Sequence, residues 1–217
     1  MTASTQHTEL SAPAGQSIVI VGVGGQGTLL ASRVLGRIGS ELYSDVTVSE
    51  VHGMSQRGGS VVTYVRMGDA VASPIIEKGQ ADIVLAFELL EALRALPYLK
   101  KGGRMLINTQ QILPMPVISG SCTYPEDILG TLKAKNVDFT AVDALSAALE
   151  AGNPKCVNTV MLGVLAASTE VEKAHWLEAV RALVPAKTVD INLAAFEKGF
   201  AAGCNKQNKH SGTQTDK

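Results

Sequence analysis

The stretch S-I-V-I-V-G-V-G-G-Q-G-T, residues 17–28, decides the fold. Its first five residues form a β-branched apolar run without polar alternation, the pattern of a strand covered on both faces of a parallel sheet. Gly22-Val23-Gly24-Gly25-Gln26-Gly27 then breaks the run with a G-x-G-x-x-G spacing. From Thr28 onward apolar residues return at Leu30, Val34, Ile38 and Leu42, with Leu35 between them, and make one face of a helix. Strand, glycine turn and helix in that order open a β-α-β unit.

Working outward, residues 46–51, V-T-V-S-E-V, read as a second strand and residues 61–66, V-V-T-Y-V-R, as a third, with no helix fitting between them. Residues 82–87 read as a further strand and 88–96 as its helix; Lys101, Gly102 and Gly103 turn the chain into a strand over 104–108. This second β-α-β unit is right-handed by default. Residues 139–142 form a later strand with Asp143 as the N-cap of the next helix, and 158–168, 175–183 and 191–202 read as helices. The expected class is α/β: one Rossmann-like, doubly wound, mostly parallel sheet with helices on both faces, spanning residues 16–203. Residues 1–15 and 204–217 carry too little apolar content to offset the entropy of ordering and are expected to be disordered tails.

A chain of 217 residues suits one such domain, and 46% hydrophobic residues with only 4% aromatics and 21 glycines describe a core of small, closely packed side chains. The net charge of −1 leaves no basic surplus to neutralise a nucleic-acid backbone, so nucleic acid is excluded as a partner. No apolar run approaches the roughly 20 residues that cross a bilayer, and residues 1–14 lack the basic start and apolar stretch of a signal peptide. A soluble, cytoplasmic protein with no membrane partner is expected. Cys122, Cys156 and Cys204 are far apart and form no C-x-x-C pair, so reduced thiols are expected and no metal.

The glycine turn has two open readings. Glycines allow a tight turn, positive φ and close approach of a ligand, and the helix starting near Thr28 aims its free N–H groups at the turn, which suits a phosphate-class anion. Equally, the glycines can serve strand-to-helix packing or subunit contact. Glu50 stands near the position where an NAD-binding fold carries its ribose-binding acid, about 20 residues on. The missing helix after it argues against a dinucleotide, which leaves an NAD-dependent oxidoreductase or a stand-alone nucleotide-binding module as secondary readings.

The segment H-G-M-S-Q-R-G-G-S, residues 52–60, concentrates donors and glycines at the same sheet end, so both loops are expected to share one site. Arg57 suits a bidentate pair with a carboxylate or phosphate, or a surface or interface salt bridge. His52 reads as a proton donor or, more simply, as a hydrogen-bonding or packing residue; Ser55 and Gln56 read as positioning groups. Asn108 and Thr109 end a strand at the ligand edge and either contact the ligand or form a turn. His175, beside Trp176, reads as part of a packed helix face. No catalytic residue is assigned to this chain.

Taken together, V-G-V-G-G-Q-G at 21–27, S-E-V-H-G-M-S-Q-R-G-G-S at 49–60, D-I-V-L-A-F-E at 82–88 and I-N-T at 107–109 resemble the small (beta) subunits of indolepyruvate:ferredoxin oxidoreductases. These are related to the gamma subunit or domain of the pyruvate and 2-oxoisovalerate enzymes, and the resemblance spans residues 17–202. It implies a complex that oxidatively decarboxylates arylpyruvates to aryl-acetyl-CoA while reducing ferredoxin. Thiamine diphosphate and the 4Fe-4S iron–sulfur clusters would then sit on the large (alpha) partner, leaving this chain without a cofactor of its own and inactive alone. Gly22, Gly24, Gly25, Gln26, Gly27, Thr28, Ser55, Gln56, Arg57, Gly58, Gly59 and Asn108 would face the partner's active site or hold coenzyme A.

Overall fold

A parallel neighbour in a sheet needs a crossover of a dozen or more residues, so strands joined by shorter connections return antiparallel. That rule sorts the strands of this protein, whose computed structural model describes residues 15–51 and 59–211. Strand β1 (Gln16–Val23) is followed by helix α1 (Thr28–Leu42), β2 (Asp45–Val51), β3 (Ser60–Gly68), β4 (Ala81–Ala86) and α2 (Leu89–Ala95). Then come β5 (Leu99–Asn108), α3 (Met115–Ile118), α4 (Ile128–Ala134), β6 (Asp138–Val142), α5 (Ala144–Glu150), α6 (Val157–Ala166), α7 (Lys173–Leu183) and α8 (Val189–Ser211). The six-stranded sheet has the order β2-β3-β1-β4-β5-β6. β1, β4, β5 and β6 are parallel, whereas β3 runs antiparallel to both β1 and β2. With only residues 52–59 between β2 and β3, β3 returns antiparallel and lies between β2 and β1.

Alternation along β1 feeds both faces. Ile18 and Ile20 join Val34, Leu35 and Ile38 of α1 and the apolar residues of α6 in one core, while Val19 and Val21 join Leu89, Leu90 and Ala92 of α2 and Ile128 and Leu132 of α4 in the other. Each face of the sheet is therefore covered, as a continuous apolar strand requires. Helix α6, V-N-T-V-M-L-G-V-L-A, is buried along its whole length. Its glycine allows α8 to cross at backbone contact: a Cβ on Gly163 would fall on the Phe196 carbonyl, and one on Gly199 on the Val160 carbonyl.

Three features differ from the expectation. Lys101, Gly102 and Gly103 lie within β5, where the register against β4 shifts and Gly103 passes so near the Ala81 and Asp82 carbonyls that a Cβ would stand 2.9 Å from each. The short helices α3 and α4 have no apolar periodicity long enough to announce them. Helix α8 continues to Ser211, into the polar segment read as a tail. Among the described residues no helix is long and apolar enough to cross a membrane.

Candidate functional site

The register of the sheet decides where the glycine turn lies. Val23, the last residue of β1, pairs with Ser60, the first of β3, and the Gly24 N–H donates to the Gly59 carbonyl at 2.9 Å. The first glycine turn and the end of the second glycine segment therefore meet at one edge, to which β4, β5 and β6 also bring their carboxyl ends. The expectation of a shared edge holds at Gly59. His52, Ser55, Gln56, Arg57 and Gly58 lie outside the described residues.

The turn is held by polar side chains. Gly25 and Gly27 adopt φ of +103° and +83°, backbone that only glycine enters without strain. Gln26 folds back: its Oε1 accepts from the Val23 N–H at 2.8 Å and its Nε2 donates to the Phe87 carbonyl at 2.8 Å. The same Phe87 carbonyl accepts from Asn108 Nδ2 at 2.9 Å, and Asn108 Oδ1 accepts from the Ala144 N–H at 3.2 Å. Asn108 is fully buried. The amides of Gln26 and Asn108 thus tie the ends of β1, β4 and β5 to the start of α5, and what they do is hold the edge in shape. Gly22 is packed beneath, where a Cβ would meet Gln26 Oε1 at 3.0 Å and Phe87 Cβ at 3.1 Å.

Two cavities flank the turn. The one towards β2, about 290 Å³, is bounded by Gly24, Gly25, Thr28, Leu29, Val51 and Val61, with Glu50 at its wall. Leu29 and Val51 are exposed there. Glu50 accepts from the buried Ser32 hydroxyl at 2.6 Å, so the acid weighed as a ribose contact is tied to α1. The other cavity, about 410 Å³, lies towards α5 and α6, with Gly25, Gln26 and Gly27 on one side and Gln110, Lys155 and Asn158 on the other. Helix α1 begins at Thr28 behind Gly27 as N-cap and has no side-chain cap, which leaves N–H groups and the positive dipole end directed at the turn.

Two buried carboxylates escaped the sequence reading. Glu88, 1% exposed, caps α2 by accepting from the Glu91 N–H at 2.8 Å, and also accepts from the Ile112 N–H at 3.1 Å and the Tyr124 hydroxyl at 2.6 Å. Burial, reinforced by that hydrogen bond, pushes the Tyr124 pKa above the usual tyrosine value. Glu91, 3% exposed, accepts from the Ser60 hydroxyl at 2.5 Å and from Arg94 Nη1 at 2.6 Å. The first turn of α2 thus anchors the start of β3, directly after the second glycine segment, and the loop that follows β5. The F-E-L-L-E spacing, acids three apart straight after a strand, is the signal that marks them.

His175 lies on α7 with Nδ1 3.5 Å from a Glu41 carboxylate oxygen, and its neighbour Trp176 is buried. Cys122 is exposed, Cys156 buried and Cys204 partly buried, all three as free thiols, and burial raises the Cys156 pKa. Among the described residues no three of His, Cys, Asp and Glu gather to hold a metal ion, and these side chains do not fit an iron–sulfur cluster.

Comparison with known proteins adds a lineage to this geometry. The indolepyruvate oxidoreductase subunit IorB of Pyrococcus horikoshii is 44% identical over 191 residues, covering 86% of this chain and 95% of that protein. IorB of Methanothermobacter thermautotrophicus is 39% identical, with 86% and 96% covered. Among solved structures, the gamma subunit of a keto/oxoacid ferredoxin oxidoreductase from Geobacter sulfurreducens superimposes with a TM-score of 0.64 at 26% identity, over 88% of this chain and 99% of that one. The profile of the pyruvate ferredoxin/flavodoxin oxidoreductase family matches residues 17–202, the sheet and both flanks of the turn included, and the chain belongs to that family.

Proposed function

We propose that this chain is the non-cofactor-bearing subunit of an indolepyruvate:ferredoxin oxidoreductase, and that the carboxyl edge of its sheet completes the active site, the coenzyme A site or both. The observation that carries this is the meeting of the two glycine segments at Gly24 and Gly59, beside the uncapped start of α1. The family and the IorB relatives support an oxidoreductase subunit, whereas nothing in them favours a stand-alone nucleotide-binding module or an NAD-dependent enzyme.

In this reading thiamine diphosphate and iron–sulfur clusters belong to the large partner, and thiamine diphosphate supplies the carbanion chemistry of decarboxylation when bound there. The work of this chain is positional. Its edge, stiffened by Gln26, Asn108 and Phe87, presents small residues that let a ligand or the partner's backbone approach, and helix N–H groups that attract an anion. Exposed Leu29 and Val51 supply apolar surface that the partner would cover, excluding water. Arg57 adds the fixed charge for a carboxylate or phosphate. In this reading the complex works in the cytoplasm and passes electrons to ferredoxin.

The test is reconstitution with the large subunit, followed by ferredoxin reduction with indolepyruvate, phenylpyruvate and pyruvate. Turnover should appear only in the complex and be fastest with the aryl substrates. Full activity of the isolated chain, or a preference for pyruvate, would contradict the proposal.

A further inference from the structure

Glu91 is buried, yet neither of its partners needs it there. It stands at the third position of α2, where a carboxylate ordinarily turns back to the N–H of the capping residue. Here its oxygens go elsewhere: Oε2 accepts from the Ser60 hydroxyl at 2.5 Å and Oε1 from Arg94 Nη1 at 2.6 Å. Ser60 is exposed and the Arg94 side chain half-exposed, so water could serve both, and a leucine at position 91 would fill the core without giving up the hydration of a charge. What the buried carboxylate adds is a fixed place for Ser60. Ser60 is the first residue of β3, opposite Val23 in the register, and the residue before it, Gly59, offers the carbonyl that accepts from the Gly24 N–H at 2.9 Å. The joint of the two glycine segments is thus gripped from both strands. Gln26 holds the Val23 N–H on the β1 side, and Glu91 holds the Ser60 hydroxyl on the β3 side. The second grip has a fixed base, because Leu89, Leu90 and Ala92 of the same helix are buried and Glu88 caps it.

We propose that Glu91 is a positioning residue of the oxidoreductase: acting through Ser60, it sets the joint of Gly24 with Gly59 at the edge that this subunit brings to the reaction. This rests on the reading that the carboxyl edge completes the active site, and it names the side chain that holds the β3 half of that edge in place. Glu91 itself touches no reacting atom. Its charge is balanced by Arg94, and its effect on turnover passes through one hydroxyl.

Steady-state turnover of the reconstituted complex, together with amide exchange of the isolated chain, tests this with Ser60→Ala, Glu91→Ala, their double variant and Glu91→Gln. Ser60→Ala and Glu91→Ala should each lower kcat about tenfold or more, and the double variant no further, since the same contact is lost each time. Glu91→Gln should rescue kcat to within about twofold of wild type, its amide oxygen still accepting from Ser60. A merely structural acid would instead lower the unfolding midpoint and leave kcat of the folded complex intact. In the isolated chain the Gly24 amide should exchange faster in Ser60→Ala and Glu91→Ala than in wild type or Glu91→Gln. Ser60 is exposed, so its variant reports even where Glu91→Ala fails to fold. Unchanged kcat in folded Ser60→Ala, a Glu91→Gln as slow as Glu91→Ala, or losses that multiply in the double variant would overturn the proposal. A wild-type complex that turns over no 2-oxoacid removes the reading of the edge instead. The Gly24 exchange then still decides whether Glu91 sets the joint, and equal rates in every variant overturn it.

Discussion

On the β4–β6 side of the first glycine turn, side-chain amides join one strand end to the next: Gln26 to Phe87, Phe87 to Asn108, Asn108 to Ala144. Towards β2 the Gly24 N–H bonds the Gly59 carbonyl and the Ser32 hydroxyl bonds Glu50, while apolar Leu29 and Val51 stand exposed beside the cavity. The first flank is complete as a piece of protein. The second leaves apolar surface that a single chain gains nothing by showing to water. The difference teaches that one half of the edge is braced by side-chain hydrogen bonds within the chain, whereas the other half leaves apolar side chains that the proposed partner would cover.

The sharpest way to break this comparison is at Gly27. Gly27→Val adds a Cβ that would run into the Asn158 amide while φ is +83°, and the left-handed backbone with overpacking should cost about 3 kcal/mol or more in urea unfolding. Gly25→Ala meets open space at φ +103°, so strain alone, about 1–2 kcal/mol, is expected. Equal losses would mean that Asn158 is not the wall of the turn. Asn108→Leu should come next at about 2–3 kcal/mol, because the Ala144 N–H loses its acceptor inside the core. Faster amide exchange at Ala144 is the measurement that ties the loss to this bond.

A smaller effect is expected on the second flank. Glu91→Ala removes the acceptor of the Ser60 hydroxyl and should cost the isolated chain about 1–2 kcal/mol, while lowering turnover of the reconstituted complex more than Asn108→Leu does. The reverse ranking would show that Glu91 is only structural. Smallest is Asp143→Ala, which removes the N-cap of α5 and should cost about 1 kcal/mol at neutral pH. Hydrogen bonds from the Ser146 backbone and hydroxyl hold the Asp143 carboxyl below the usual aspartate value of 3.8. A depressed pKa means that the stabilisation is present above that value and is lost as pH falls through the lower, folded one. The gap between wild type and Asp143→Ala should therefore close only in acid.

The parts legible in the sequence are those written locally. The run 17–21 and the four glycines placed β1 and the turn, and the lack of a helical pattern after Val51 placed β3 next in the chain, while its antiparallel direction emerged only in the structure. Asp143 announced its own helix. The Gln26 latch was not legible, because a glutamine in a glycine turn looks like a ligand donor until Phe87, 61 residues away, is seen to face it. Glu88 and Glu91 look like ordinary first-turn acids, and their burial depends on Tyr124, Ile112 and Ser60 arriving from other strand ends. Lys155 and Asn158 carry no motif at all. They reach the turn only because α6 is buried end to end between the sheet and α8.

Hydrogen–deuterium exchange of this chain, alone and bound to its large subunit, tests most directly whether the carboxyl edge is the surface that another subunit completes. Slowed exchange is predicted for amides in residues 24–29 and 59–63 on binding, with α7 unchanged. Protection confined to α7 and α8, with the glycine turn exchanging as in the free chain, would contradict the account.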